Sequence, residues 1–247
     1  MESLLSDSFV VESEVLGEER EIYVYLPPGH GESGEVYPVV YLLDGDRLHN
    51  VVSAFVQHYS SRGRIPPLIV VGIESGDRMR DFTSTVRKGR DGGPVGGGAD
   101  GFLRFLSEEL FPRVEGRYSC RDYRVLIGHS LGGLFVVYSV IAEPEMFRAY
   151  VASSPWFGVE DEPLISRVGA YLREGPPDSK LLYVAHEPIG KEGIEVRILS
   201  LVRVLRENER EDFAWRYRRY EDADHSNLPL KAVPDALDFL FPGIVLD

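Results

Sequence analysis

The chain of 247 residues has little cysteine, little lysine and no long apolar run. Its single cysteine, Cys120, cannot form an internal disulfide, which excludes a scaffold held together by disulfides. No window reaches the run of about 18 apolar residues that a membrane helix needs. The first residues, MESLLSDSFVVESEV, carry early acids and no sustained apolar core of the signal-peptide type. These absences predict a cytoplasmic protein without a membrane span.

Basic residues are also in the minority. The chain has 40 Asp and Glu against 27 Lys and Arg, which gives a net charge of -13 at pH 7. Such a chain repels phosphate backbones and anionic membranes on average, so we expect neither a nucleic-acid partner nor a membrane partner. Four of the basic residues are lysines and 23 are arginines, the side chains suited to forked contacts with oxygen atoms.

Apolar residues, in contrast, are plentiful. They make up 43% of the chain, and a compact chain of this length hides about 70 to 75% of its unfolded surface. A disordered or low-complexity protein is therefore excluded. The sequence has no repeats and no internal linker, so we predict a single domain over residues 1–247.

Hydrophobic periodicity predicts the order of strands and helices. The segments SFVVESEVL and REIYVYLPP predict an antiparallel hairpin that turns at Gly17, Glu18 and Glu19. Six later runs are typical of buried strands: VVYLLDG from Val39, PLIVVGI from Pro67, YRVLIGHS from Tyr123, YVASSP from Tyr150, LLYVAHE from Leu181 and FAWRYRRY from Phe213. Helical spacing occurs at about 48–59, 100–115, 131–142, 161–173, 191–208 and 229–241.

Strands that alternate with helices predict an α/β fold with a mostly parallel sheet covered on both faces. Two stretches, Glu74 to Gly98 and Ser154 to about Asp161, show no regular pattern. Since loops of this kind usually shape a binding or catalytic site, we expect both to lie near one. The second stretch is too short for a large lid made of several helices.

The segment YRVLIGHSLGG, residues 123–133, carries the chemistry. It reads as a buried strand, a tight turn at Ser130 and a helix, with Gly128 and Gly132 two residues to either side of the serine. A serine at such a turn has a strained backbone that leaves room only for small neighbours, and its hydroxyl projects above the sheet. The N–H of Leu131 would then face an oxyanion at the start of the helix. This pattern predicts a nucleophilic Ser130.

A nucleophilic serine needs a base and an acid, which in this architecture follow it in the order acid, then histidine. His225, in the polar loop EDADHSNLP, is favoured as the base over His186. Glu187, directly after the strand LLYVAH, is favoured as the acid. Glu192 and Glu195 are rivals, a serine–histidine dyad without an acid is a further alternative, and Asp222 and Asp224 are expected to cap or solvate the histidine's loop.

Across nearly its full length the sequence resembles the esterase branch of the α/β-hydrolase superfamily, which includes siderophore trilactone esterases of the enterobactin and bacillibactin type. The likeness lies in YLPPGHGESGEVYPVVYLLDGD, RMRDFTST, GGADGFLRFLSEELFPRVEGRY, GHSLGG and EDADHSNLP. The resemblance implies an α/β-hydrolase fold with Ser130 as nucleophile and His225 as base. It also implies an oxyanion hole built from the backbone N–H groups of Leu131 and Asp46, which requires the Asp46 carboxylate to point away.

These residues predict acyl transfer in two steps through a covalent Ser130 ester. We expect no cofactor and no metal, because the chain has no clustered His/Cys site and the glycine run around Gly96 lacks the Lys-Ser/Thr pair of a phosphate loop.

The substrate is predicted to be a soluble small-molecule ester. Four arginines of the first irregular stretch could form a positive patch for a ferric catecholate, or could be solvated loop charge with Arg80 paired to Asp81 or Asp77. Arg78 and Arg80 are candidate substrate contacts within that group, which also contains Arg87 and Arg90. Trp156 is a candidate substrate-binding residue, with Tyr59 and Phe157 as further candidate walls. A siderophore esterase, a general carboxylesterase or acyltransferase, and a binding protein without activity all remain open, and the oligomeric state is not predicted.

Overall fold

The computed structural model describes residues 6–32, 34–89, 91–175, 179–190 and 192–242. The strands of the described residues are β1 (Asp7–Ser13), β2 (Glu18–Tyr25), β3 (Tyr37–Leu42), β4 (Ile69–Ile73), β5 (Val86–Lys88), β6 (Pro94–Gly96), β7 (Cys120–His129), β8 (Ala149–Ser153), β9 (Lys180–His186) and β10 (Phe213–Arg219). The helices are α1 (Gly45–Ser60), α2 (Arg78–Phe82), α3 (Ala99–Arg104), α4 (Phe111–Arg117), α5 (Leu131–Ala142), α6 (Glu162–Glu174), α7 (Glu192–Glu207) and α8 (Leu228–Leu240). A π-helical segment joins α3 to α4, and a 3-10 turn over Val159–Asp161 precedes α6.

Eight of the strands form one sheet in the order β1-β2-β4-β3-β7-β8-β9-β10. The β1–β2 and β2–β4 pairs are antiparallel, and every later pair in this sheet is parallel. Strands β5 and β6 form a separate small hairpin. The predicted α/β-hydrolase fold, with its antiparallel amino-terminal hairpin and mostly parallel sheet, is confirmed.

The sheet is covered on both faces, because successive strand residues point to opposite sides. In β3, Val40 and Leu42 belong to the cluster that contains apolar residues of α1 and α8. Val39 and Tyr41 belong to the cluster formed with α3 to α7. All four residues are at most 1% exposed. The central strands are therefore almost uniformly apolar, as their sequences indicate.

The structure corrects three local predictions. The first hairpin turns over residues 14–17, not 17–19, because Gly17 takes a φ of 69° and its N–H closes the turn on the carbonyl of Ser13. The stretch from Glu74 to Gly98 is not wholly irregular, since it contains α2 and the β5–β6 hairpin. The helix predicted over residues 100–115 is interrupted by the π-helical segment Phe105–Leu110.

Two further predictions concern the chain as a whole. None of the described helices is long and apolar enough to cross a membrane. The single domain over residues 1–247 stays a prediction, because the described residues stop short of both termini.

Helix α1 begins against the neighbouring strand. A Cβ atom on Gly45 would lie 2.5 Å from the carbonyl carbon of Gly72 in β4, a distance that backbone atoms cannot accommodate without moving. Glycine is therefore required where the chain leaves β3 and enters α1. This close contact sets the position of the loop that follows β3.

We expect Gly45→Ala to lower the free energy of unfolding by about 2 kcal/mol through this backbone clash. Gly101→Ala in α3 is the matched control, since a Cβ there meets no atom within 4 Å. The control should raise stability by about 0.5 to 1 kcal/mol, the usual gain of alanine over glycine in a helix. Urea unfolding followed by circular dichroism measures both, and equal effects of the two substitutions would contradict the close packing.

Candidate active site

Backbone strain marks one edge of the sheet. Among the described residues, the non-glycine residues with positive φ are Asp44 at 56°, Ser130 at 59° and Ser154 at 47°. They follow the carboxyl ends of β3, β7 and β8, which are neighbours in the sheet. Strained residues of this kind cluster at functional sites, and ligands of open α/β sheets bind beyond the carboxyl ends of the strands. The candidate site lies here.

Ser130 occupies the tight turn that the sequence predicts, between the end of β7 and the start of α5. A Cβ on Gly128 would lie 2.3 Å from the carbonyl oxygen of Gly132, and a Cβ on Gly133 would lie 2.8 Å from the carbonyl oxygen of Ser153. The N–H of Ser130 donates to that same Ser153 oxygen at 2.9 Å. A side chain at either glycine would therefore clash with the backbone, and the turn is hydrogen-bonded to the end of β8.

His225 and Glu187 meet at this turn. His225 lies in the loop between β10 and α8, and its Nδ1 is 2.7 Å from Oε1 of Glu187, which directly follows β9. The His225 ring centroid is 4.5 Å from the ring of His129 and 5.9 Å from the ring of Trp156. His129 precedes Ser130 in the chain, and the N–H of Trp156 donates to the Ser130 carbonyl at 3.0 Å. The structure therefore brings the three predicted residues to one place.

The loop that carries His225 is held by short-range hydrogen bonds. Oδ1 of Asp224 accepts from the backbone N–H of Ser226 at 2.8 Å and of Asn227 at 3.0 Å. The ammonium of Lys231 binds the carboxylate of Asp222 at 2.6 Å. The two aspartates thus brace the loop, in the capping role that the sequence suggests.

Glu187 is buried and ionised. Its side chain is 4% exposed, whereas that of His225 is 45% exposed. Burial by itself would raise the pKa of Glu187, but hydrogen bonds from His225, from its own backbone and from Ser154, with the charge of His225, outweigh it, so the pKa lies below the ordinary value. A carboxylate that keeps its charge here can orient an imidazole and stabilise its protonated form. The exposed imidazole remains open to solvent and to a substrate.

The rival base and acid form a separate pair. His186 is fully buried, with Nε2 at 3.3 Å from Glu195 and Nδ1 at 3.4 Å from the hydroxyl of Tyr217. Burial lowers the pKa of His186. Glu195 also accepts from Arg219 at 3.1 Å. The side chain of Glu192 lies outside the described part of the structure.

The two predicted oxyanion donors lie at the starts of two helices. Leu131 is the first residue of α5 and Asp46 is the second residue of α1. Oδ1 of Asp46 accepts from the N–H of Ser75 at 3.0 Å and from its hydroxyl at 2.7 Å, which ties the carboxylate to the segment after β4. The role of the two N–H groups in holding an oxyanion stays a prediction.

Of the two alternatives for the arginines, the structure favours paired charge over a positive patch, because each described arginine of the group is paired with a carboxylate. The pairs are Arg78 with Asp44, Arg80 with Glu18 and Asp81, and Arg87 with Asp161. Arg90 lies outside the described residues. Arg80 is engaged through its Nε and both terminal nitrogens, so it serves as a link between β2 and α2. The alternative of paired loop charge therefore holds for the described members.

The Arg78–Asp44 pair lies beside the Ser130 turn. Nε and Nη2 of Arg78 contact the two oxygens of Asp44 at 2.6 and 3.0 Å, and Nη2 is also 3.4 Å from the carbonyl of His129. The Asp44 side chain is 5% exposed and that of Arg78 is 23% exposed. Sequence reasoning gave no role to Asp44, which lies within LLDGD, or to Ser154, which lies within YVASSP, because only the fold brings their side chains to this edge.

The three aromatic candidates lie in different parts of the structure. Trp156 borders the site through its edge-on contact with the His225 ring, and Phe157 is fully buried in the core. Tyr59 lies in the last turn of α1, the end of that helix away from the carboxyl edge, under the guanidinium of Arg64 at 4.2 Å. The prediction that Tyr59 is a wall of the site is wrong, because α1 carries it to the opposite edge of the sheet.

Comparison with known proteins agrees with this geometry. Residues 13–221 match the Esterase family, described as "Putative esterase", and the chain belongs to that family. It is 37% identical over 142 residues to the ferri-bacillibactin esterase BesA of Bacillus subtilis (strain 168), a match that covers 48% of this chain and 47% of BesA. The chain spans about half the length of the curated relatives it matches.

Two solved structures are similar over most of the chain. An IroE-like serine hydrolase from Shewanella oneidensis has a TM-score of 0.86 at 29% identity, and the match covers 95% of this chain and 79% of that one. The BES protein from Bacillus cereus also has a TM-score of 0.86, at 23% identity, with 98% and 97% covered. At 23% identity, the likeness to the Bacillus cereus protein shows that the two chains share a fold and no more.

His129 contributes a neutral imidazole next to His225. Its Nδ1 is 3.2 Å from the hydroxyl of Ser153, at the end of β8. Burial, and then the nearness of His225, lower the pKa of His129 to about 4 from the ordinary 6.5. The folded chain thus binds this proton at a lower pH than the unfolded chain does. Acidification from pH 6.5 towards 4 therefore favours unfolding through this group.

We expect an NMR titration to give His129 a midpoint near pH 4, with the ring neutral at pH 6. Imidazole nitrogen shifts measure it, and the loss of one signal in His129→Gln assigns the resonance. A midpoint near 6.5 would show that the ring is hydrated and would contradict the packed arrangement.

Proposed function

We propose that the protein is a serine carboxylic-ester hydrolase that acts through an acyl-enzyme on soluble esters, and that its substrates are siderophore trilactones. One observation carries the catalytic part: an imidazole bonded at 2.7 Å to a buried carboxylate packs against His129, the residue directly before a serine in a strained strand-to-helix turn. A nucleophile next to a base that a third group orients is the general arrangement for acyl transfer.

In the proposed mechanism, the Ser130 oxygen attacks the ester carbonyl while His225 accepts the hydroxyl proton at Nε2. Glu187 holds Nδ1–H and stabilises the imidazolium. The N–H groups of Leu131 and Asp46 hold the oxyanion of the tetrahedral intermediate. Collapse of that intermediate expels the alcohol, which takes the proton from His225, and a water molecule then releases the acyl group by the same steps in reverse. No cofactor takes part in these steps.

The substrate proposal rests on relatives rather than on a positive patch. BesA is named a ferri-bacillibactin esterase, and a further relative, from Escherichia coli O6:H1 (strain CFT073), is named an apo-salmochelin esterase. We propose Arg78 and Trp156 as substrate contacts because both border the Ser130 turn. Arg80 is held by Glu18 and Asp81 and is not proposed as a contact. We also propose a cytoplasmic location and no nucleic-acid or membrane partner.

We expect purified protein to open catecholate trilactones, ferric and iron-free, in a reaction that Ser130→Ala abolishes. Chromatography of the products measures it, with p-nitrophenyl acetate as the comparison substrate. Cleavage of p-nitrophenyl acetate alone would overturn the siderophore assignment in favour of a general carboxylesterase. No reaction with either ester, and no labelling of folded protein by a fluorophosphonate, would point to a binding protein and overturn the catalytic proposal.

We expect His225→Ala to lower kcat by about 10³-fold or more and Glu187→Gln to lower it by a smaller factor, since the imidazole reacts directly and the acid acts through it. Glu195→Gln is the matched control, because Glu195 pairs with His186 and Arg219 instead of His225. Steady-state kinetics with p-nitrophenyl acetate measures all three. If Glu195→Gln lowered kcat more than Glu187→Gln does, Glu187 would not be the acid.

A further inference from the structure

Ser154 is a buried residue of the site to which the proposed mechanism gives no part. It is 0% exposed and has a φ of 47°, a left-handed backbone that is costly for serine. It also precedes Pro155, and the residue before a proline prefers an extended backbone. Strain of this size persists only where the surrounding structure enforces it. Its N–H is fixed by a 2.7 Å hydrogen bond to the carbonyl of Ala185 in β9.

The strained backbone places the Ser154 hydroxyl between the proposed acid and base. Its Oγ is 3.0 Å from Oε1 of Glu187 and 3.4 Å from Nδ1 of His225. The same Oε1 accepts from Nδ1 of His225 at 2.7 Å. The hydroxyl and the imidazole therefore share one carboxylate oxygen, and the three side chains form a closed triangle.

A buried serine does not need a carboxylate to satisfy its hydroxyl. Ser139 in α5 is equally buried, and its Oγ donates to the backbone carbonyl of Val136 at 2.8 Å. Ser154 instead donates to a charged group, and hydrogen bonds to charged groups are about twice as strong as neutral ones. Part of the effect is electrostatic, because this bond is one of those that lower the pKa of Glu187.

The neighbours of Ser154 connect the acid to the nucleophile. The carbonyl of Ser153 accepts the N–H of Ser130 at 2.9 Å, and the N–H of Trp156 donates to the carbonyl of Ser130 at 3.0 Å. Residues 153–156 therefore hold the nucleophile turn through their backbone and Glu187 through the Ser154 side chain. Neither backbone bond to Ser130 uses an atom of Ser154, so removal of the Ser154 hydroxyl acts directly on the acid only.

We propose that Ser154 is a positioning residue of the catalytic site, which fixes the Glu187 carboxylate so that Oε1 faces Nδ1 of His225. This inference rests on the proposed function. Without the hydroxyl, the carboxylate loses one of the hydrogen bonds that fix its orientation and keeps the bonds from His225 and from its own backbone. Fewer enzyme molecules then have a correctly oriented base. Loss of the bond also raises the pKa of Glu187, so its carboxylate becomes protonated at a higher pH than in the wild type.

The test compares Ser154→Ala and Ser154→Gly with the wild type, using p-nitrophenyl acetate between pH 5 and 9. Both variants lack the hydroxyl, and glycine also removes the cost of positive φ, so the pair separates side-chain chemistry from backbone strain. Ser139→Ala is the matched control for loss of a buried hydroxyl. Thermal unfolding of each variant confirms that the protein measured is folded.

We expect both Ser154 variants to lose about tenfold in kcat with little change in KM, the size of effect that one hydrogen bond to a charged group produces. The acidic limb of the pH profile should move to higher pH in both, while Ser139→Ala keeps the profile of the wild type. A wild-type kcat and pH profile in folded Ser154→Gly would overturn the proposal. Full kcat in Ser154→Gly with a lower kcat only in Ser154→Ala would also overturn the proposal. Backbone strain at positive φ, and not the lost hydroxyl, would then account for the effect of the alanine variant.

The two proposals fail in different ways. If the wild type hydrolyses the ester and Ser130→Ala does not, the proposed function stands, and the Ser154 variants then decide the present inference. If the wild type shows no Ser130-dependent hydrolysis, the proposed function itself fails, and the inference about Ser154 falls with it.

Discussion

The hydrogen bond between Glu187 and His225 is the interaction on which the rest of the site depends. It joins the end of β9 to the loop after β10, so it forms only when the parallel strands are in register. A buried carboxylate is costly without partners, and here both side-chain donors, His225 and Ser154, reach its Oε1. The pair consequently keeps the imidazole in one orientation with one face open to solvent. Catalysis by such a site depends on geometry that is set before the substrate arrives.

That geometry requires a strained backbone at the ends of three neighbouring strands. Asp44, Ser130 and Ser154 each adopt a left-handed φ, at a cost of about 1 to 3 kcal/mol per residue. The eight-stranded sheet holds them there, since its central strands are buried on both faces and cannot shift without exposing core side chains. Rigid strands with strained ends explain how a stable scaffold keeps Ser130 in a backbone conformation that is costly for serine.

The sequence predicted most of the fold because its signals are local. Alternation of apolar runs with helical spacing is enough to place the strands of the sheet, and GHSLGG is enough to place Ser130. Chain order was enough to favour His225 and Glu187, which the structure brings together. Asp44 and Ser154 could not be found this way, because their importance lies in positive φ and in contacts that cross the sheet. The error at Tyr59 has the same origin, since a helix of 16 residues carries its last turn to the other edge.

The pairing of the arginines changes what the site can recognise. A chain with a net charge of -13 could still bind an anion through a local patch, but Arg78, Arg80 and Arg87 all lie against carboxylates. A paired guanidinium attracts a polyanion weakly at a distance, whereas its remaining donors still recognise oxygen atoms at contact range. Arg78 is the member of this group next to the Ser130 turn, where it binds Asp44 and approaches the carbonyl of His129. If Trp156 and Arg78 contact the substrate as proposed, recognition depends on short-range fit beside them. The net negative charge of the chain gives long-range attraction little part in bringing an anionic substrate to the cleft.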